Sequence, residues 1–185
     1  MSNQRHVILG VTASIAAYKS AEIIRQLSKE GIKVSVVMTK DSEFFITPLT
    51  LFTLADGRVY RDMFNDRRYP TTITHINLAE EADLLLIAPA TANIIGKIAS
   101  GIADDLLTCI AMATRAKILI VPAMNTGMYE NPIFKENCAK LVKHGIRFIS
   151  PIEGSLACGK IGKGHIAEVR DIVTTVLNEL AVKDN

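Results

Sequence analysis

Short apolar runs recur along the chain, each leading into a turn of small or polar residues. His6–Gly10, Lys33–Met38, Asp83–Ala88, Lys117–Val121 and Arg147–Ile149 are mostly Val, Ile and Leu, unbroken rather than alternating. Such runs belong to strands buried on both faces of a parallel sheet. Between them apolar positions return at helical spacing. After the first run, Ala17, Ala21 and Ile24, with Ile23 and Leu27, share one side of a helix that reaches Lys29, where Gly31 ends it. Ser14 is placed to cap that helix. Ser42–Leu54 also reads as helix, with Pro48 in a first turn after Thr47. Further helices span Ile94–Ser100, a stretch opened by Asp104-Asp105 and reaching about Thr114, a stretch opened by Asn131-Pro132 and closed by Gly145, and Glu168–Leu180. Strand and helix alternate, which predicts an α/β fold: an open, doubly wound parallel sheet with helices on both faces and right-handed crossovers.

Two stretches break the alternation. Asp56–Thr74 is irregular and reads as an exposed excursion or a contact to another subunit; His75-Ile76-Asn77-Leu78 follows it and ends near a turn over Ala79–Ala82. Ser150–Ala167 carries Gly154, Gly159, Gly162 and Gly164. A loop of that length between ordered elements reads as a lid. The expectation is one domain over 1–185, with 150–167 as an active-site flap and a frayed end after Leu180.

Composition narrows the class. The chain has 185 residues, 49% apolar and 22% charged, with a net charge of +2. No basic run marks a nucleic-acid surface, and no apolar segment reaches the roughly 18 residues of a membrane span. Val7–Ala17 has the look of a short signal peptide, but Lys19 and Glu22 continue it as an amphipathic helix. Three cysteines (Cys109, Cys138 and Cys158) make neither a disulfide framework nor a zinc site, and a reducing cytoplasm is the simplest location.

Open α/β sheets hold ligands at the carboxyl ends of their strands. Three turns meet there: Thr12–Ile15, Pro89–Asn93 and Pro122–Tyr129. The first is neither GxGxxG nor a Walker loop. A hydroxyl-bearing turn at a helix start suits an anion, although a cap alone explains Ser14. The third carries Met124, Asn125, Met128 and Tyr129, adaptable apolar contacts around one orienting amide. A lone His75 is more often structural than catalytic. Adjacent Asp104 and Asp105 complement a helix start. Hydroxyls, amides and backbone N–H groups without a cationic cluster suit a phosphate plus a flat heteroaromatic ring.

Five motifs in order also carry a resemblance. Gly10-Val11-Thr12-Ala13-Ser14-Ile15-Ala16-Ala17-Tyr18-Lys19, His75-Ile76-Asn77-Leu78, Pro89-Ala90-Thr91-Ala92-Asn93, Pro122-Ala123-Met124-Asn125-Thr126-Gly127-Met128-Tyr129 and Ala157-Cys158-Gly159 resemble the homo-oligomeric flavin-containing cysteine decarboxylases over about residues 5 to 180. The resemblance implies bound FMN, with Ser14, Ile15, Ala16 and Thr39 on its phosphate and ribose side. It puts Thr91, Ala92, Asn93 and the Ala123 backbone against the flavin. It implies His75 and Cys158 as catalytic residues, Asn125 and Met128 on the substrate carboxylate, and a flap over Ser155, Leu156 and Ala157. Ala13 and Lys160 depart from the common pattern, the latter where an aspartate is usual.

The implied reaction is decarboxylation of 4′-phosphopantothenoylcysteine to 4′-phosphopantetheine in coenzyme A biosynthesis. Flavin oxidation gives a thioaldehyde, CO2 leaves, and the resulting enethiolate is reduced again with Cys158 as proton donor. A trimer or dodecamer is implied, with the flavin at a subunit contact, and so is a fused or separate phosphopantothenate–cysteine ligase. Three alternatives share the fold. A peptidyl-cysteine decarboxylase commonly lacks the Ala-Cys-Gly flap. A flavin prenyltransferase would need an arginine clamp that is not evident here. A non-catalytic flavin-binding regulator would carry a long acidic tail.

Overall fold

The apolar runs are strands of one sheet. In chain order they are β1 (His6–Val11), β2 (Lys33–Met38), β3 (Val59–Tyr60), β4 (Leu84–Ala90), β5 (Lys117–Pro122) and β6 (Arg147–Phe148). They lie in the order β3-β2-β1-β4-β5-β6, with every neighbouring pair parallel. The structure is a computed structural model and describes residues 4–63, 74–155 and 161–182. The helices are α1 (Lys19–Lys29), α2 (Pro48–Leu54), α3 (Thr74–Glu81), α4 (Ala92–Ala99), α5 (Leu106–Ala113), α6 (Thr126–Glu130), α7 (Pro132–Lys143) and α8 (Val169–Ala181).

Alternate residues of β1 feed two cores. Val7, Leu9 and Val11 pack with Ile23, Ile24 and Leu27 of α1 and Ile172 and Val176 of α8. Ile8 faces the other way, with Leu85 and Ile87 of β4, Ile94 of α4 and Ile110 of α5. Each such side chain, fully buried, contributes roughly 1.5–3 kcal/mol. Helices therefore cover both faces, as the alternation predicts. Gly10 lets α5 come close: a Cβ there would lie 2.6 Å from Leu107 Cδ1.

The structure corrects several elements. Ser42–Leu54 is not one helix. A 3-10 turn spans Lys40–Phe44, and Thr47, extended and capping Thr50 N–H, starts α2 afresh at Pro48. The irregular stretch holds β3, two residues long and so without periodicity to read. His75–Leu78 and the turn expected after it are α3. The stretch after β5 turns helical at Thr126. The 150–167 segment is not structureless: β7 (Ile152–Ser155) and β8 (Ile161–His165) pair antiparallel.

At the amino edge of the sheet His6 is buried. Its Nε2 lies 2.9 Å from Ser35 Oγ, and its backbone N–H donates to Asp83 at 2.8 Å. Burial, with Lys33 nearby, lowers its pKa from 6.5 to about 4 against the opposing pull of Glu81.

Candidate active site

The strand order reverses its direction of growth between β1 and β4, and a cavity of about 590 Å³ opens at the carboxyl ends of β1, β4 and β5. That is the topological switch point where doubly wound sheets bind ligands, and the volume falls within the range of small-molecule sites. Ser14 to Ala16 wall it from β1, Thr91 and Ala92 from β4, Ala123 to Asn125 from β5, with Met128 of α6 and Gly164 to Ile166 of the hairpin.

Side-chain hydrogen bonds hold the three turns in register. Thr12 Oγ1 donates to Pro89 O at 2.8 Å and accepts Thr91 N–H at 3.0 Å. Ser14 is extended and accepts from Ala16 N–H, capping the short 3-10 turn Ile15–Tyr18 that leads into α1. Its hydroxyl also donates to Ala123 O at 3.3 Å. Thr91 caps α4 through Ile94 N–H. Asn125 caps α6, its Oδ1 accepting Gly127 N–H at 2.8 Å.

The hairpin lies across the β5 turn. Met124 N–H donates to Gly164 O at 3.0 Å. Both approaching glycines are sterically required: a Cβ on Gly162 would strike Thr126 Oγ1, and one on Gly164 would strike Met124 O. Gly164 also has φ +143°, a conformation that residues with a Cβ rarely adopt. Thr126 Oγ1, beneath the hairpin, is buried with no hydrogen-bond partner among the described residues.

The cavity thus gathers Ser14, Ile15, Ala16, Thr91, Ala92, Ala123, Asn125 and Met128. It does not gather every candidate. Thr39 follows β2 on the same edge, its Oγ1 3.4 Å from Val11 O, but it does not line the cavity. Asn93 is exposed in the first turn of α4. His75, half-buried, lies in the first turn of α3, which precedes β4 and so begins at the carboxyl edge, outside the cavity wall. Ser155 ends β7. Leu156, Ala157 and Cys158 fall outside the described residues. Beyond the site residues that the resemblance implies, Met124 of the third turn lines the cavity as its apolar character suggests, and so do Ala13, Tyr18, Gly164, His165 and Ile166. The spacing Gly162-x-Gly164 is the available signal for the hairpin residues, since glycines in a strand mark a close backbone approach.

Side chains outside the site behave structurally. Asp105 makes a capping box with Thr108, and a hydrogen bond from Lys97 holds the Asp104 carboxyl below its ordinary range. Burial raises the thiol pKa of Cys109 and Cys138.

The lining fits a flavin mononucleotide on physical grounds. Ala13, Ile15, Ala16, Ala92, Ala123, Met124, Met128 and Ile166 offer a mostly apolar surface for a flat ring. The Ser14 hydroxyl and the turn it caps offer one place where an anion is favoured. No Asp or Glu is among the described lining residues to repel a phosphate.

Residues 1–181 match the family model described as Flavoprotein. The chain belongs to this flavoprotein family. Among curated relatives of this flavoprotein is the coenzyme A biosynthesis bifunctional protein CoaBC of Bacillus subtilis (strain 168), 46% identical over 94% of this chain and 42% of its own length. A probable phosphopantothenoylcysteine decarboxylase of Streptococcus mutans is 42% identical over 95% of this chain and 99% of its own. The flavoprotein thus spans less than half of the bifunctional relatives it matches. A mutant PPC decarboxylase, in which a serine replaces a cysteine and which is complexed with pantothenoylaminoethenethiol, superposes with a TM-score of 0.84 at 34% identity. The match covers 95% of this chain and 98% of that one. The FMN-dependent cysteine decarboxylase SpaF also reaches 0.84, at 28% identity over 96% and 98%.

Proposed function

We propose that this flavoprotein binds FMN and decarboxylates 4′-phosphopantothenoylcysteine to 4′-phosphopantetheine, a carboxy-lyase step of coenzyme A biosynthesis. The observation that carries the reading is the cavity at the switch point, where the Ser14 turn, the Thr91 turn and the capped amide of Asn125 face one space. Bound FMN supplies a two-electron acceptor and donor.

The chain's own residues bind, orient and shield. Ser14, Ile15 and Ala16 hold the cofactor's phosphate side, with Thr39 beyond them, while Thr91, Ala92, Asn93 and the Ala123 backbone hold the ring side. Asn125 takes the substrate carboxylate through its NH2, because Gly127 N–H fixes its oxygen as the acceptor end. A neutral amide suits this role, since a cation would stabilise the carboxylate ground state and oppose its loss. Met128 packs beside it, half exposed at 50%. The hairpin, with Ser155, Leu156 and Ala157, excludes water, and Cys158 delivers the last proton. His75 handles a proton at the substrate. Since it stands at the carboxyl edge but outside its own chain's cavity, it serves the site of a neighbouring copy, in keeping with a trimer or dodecamer. The reading carries with it a cytoplasmic location and a fused or separate phosphopantothenate–cysteine ligase as partner.

The test is to reconstitute the protein with FMN and incubate it with 4′-phosphopantothenoylcysteine under mass-spectrometric detection. A yellow protein whose product has lost one CO2 supports the reading. A protein that takes up no FMN refutes it.

A further inference from the structure

Of the polar side chains that line the cavity, Ser14, Thr91 and Asn125 are engaged in capping their own helices. Among the described residues, the His165 ring makes no hydrogen bond or ion pair. No Lys or Arg lines the cavity among those residues, so His165 is the side chain there that can carry a positive charge. Its placement is built. Met124 N–H grips Gly164 O at 3.0 Å, fixing the backbone beside it. Gly154 stands opposite on β7 without a side chain: a Cβ there would lie 3.1 Å from His165 Cγ, so bare backbone makes room for the ring.

We propose that His165 is a ligand-binding residue whose imidazole donates a hydrogen bond to the phosphate monoester of a molecule in this cavity. His165 is half-buried. An imidazole with donor capacity unused inside the protein suits an anionic oxygen, where a charge-assisted bond is stronger than a neutral one. The carboxylate is the wrong anion for it, because a cation there would work against decarboxylation. Two molecules can bring a phosphate monoester, the cofactor and the substrate. Only the second of these rests on the function proposed above.

The test compares FMN-reconstituted parent, His165→Ala and His165→Gln proteins. FMN dissociation constants, kcat and KM for 4′-phosphopantothenoylcysteine, and melting temperatures are measured for each. His165→Ala is expected to weaken one ligand about ten-fold, the scale of one hydrogen bond to a charged group. kcat and melting temperature should change little, and His165→Gln, which keeps a donor, should recover most of the loss. A raised FMN dissociation constant assigns the bond to the cofactor; a raised KM alone assigns it to the substrate. Unchanged FMN affinity and KM in His165→Ala overturn the inference, as does an equal loss in both variants with a lowered melting temperature. Should the parent bind FMN yet leave the substrate intact, the proposed function fails, and the FMN constants alone then decide the role of His165.

Discussion

Thr12 and Thr91, 79 residues apart, are joined by a hydrogen bond from the Thr91 amide to the Thr12 hydroxyl at 3.0 Å. The same hydroxyl donates to Pro89 O at 2.8 Å, so one buried oxygen fixes the ends of β1 and β4 against each other at the mouth of the cavity. Thr12→Val keeps the shape, and Pro89 O keeps the Thr12 N–H at 3.3 Å, but the part-buried Thr91 N–H loses its acceptor. The expected cost is about 1–3 kcal/mol of stability, read by urea denaturation, with weakened FMN binding alongside. Thr12→Ser should hold both near the parent values; a stable Thr12→Val protein would show that the clamp does not matter.

Gly164→Ala should separate hairpin docking from folding. Its φ of +143° and its contact with Met124 O leave no room for a Cβ. Gly164 lies in the separate two-stranded hairpin rather than in the six-stranded sheet, so the expected outcome is a several-fold fall in kcat/KM with a smaller change in melting temperature. An active Gly164→Ala enzyme would contradict the idea that the hairpin must lie against the β5 turn.

Asn125→Asp tests charge at the carboxylate. Aspartate caps a helix as well as asparagine does, so α6 should persist. The added negative charge should raise KM about ten-fold or more through repulsion in a partly dehydrated site. An unchanged KM would remove Asn125 from carboxylate binding.

Cys158→Ser should still release CO2 but accumulate the unsaturated enethiol, detected by product mass. Saturated product at the parent rate would remove Cys158 as the final proton donor. His75→Asn should keep FMN and lose turnover, and full activity in that variant would exclude His75 from the reaction.

Acid should weaken the fold through His6. Its pKa is about 4 when folded and 6.5 in the reference state, so the unfolded chain binds the proton more readily between those values. Stability is therefore fully present above about pH 6.5, falls as pH drops through the window and levels off below about 4. The full shift corresponds to about 3 kcal/mol. Denaturation midpoints of the parent and His6→Gln at several pH values check it; a parallel pH dependence in both would contradict the assignment.

Much of this architecture is legible in the sequence because burial on both faces writes itself as unbroken apolar runs: the ends of β1, β2, β4 and β5 agree with those runs to within two residues. What stays hidden is short or long-range. Val59–Tyr60 is too short for any period to appear. Thr47 restarts a helix that composition alone would continue. Thr12 reads as a hydroxyl offered to a ligand, yet its oxygen bonds Pro89 and Thr91 within the protein. His165 stands out only once β8 crosses the β5 turn and its neighbours are known. That crossing depends on contacts far apart along the chain, such as Met124 with Gly164.

The most direct measurement is a competition in one vessel between 4′-phosphopantothenoylcysteine and a peptide ending in cysteine, with the FMN-loaded protein limiting and both products followed by mass. The phosphorylated substrate should be decarboxylated first while the peptide persists. Consumption of the peptide in preference, or of neither, would contradict the proposed function.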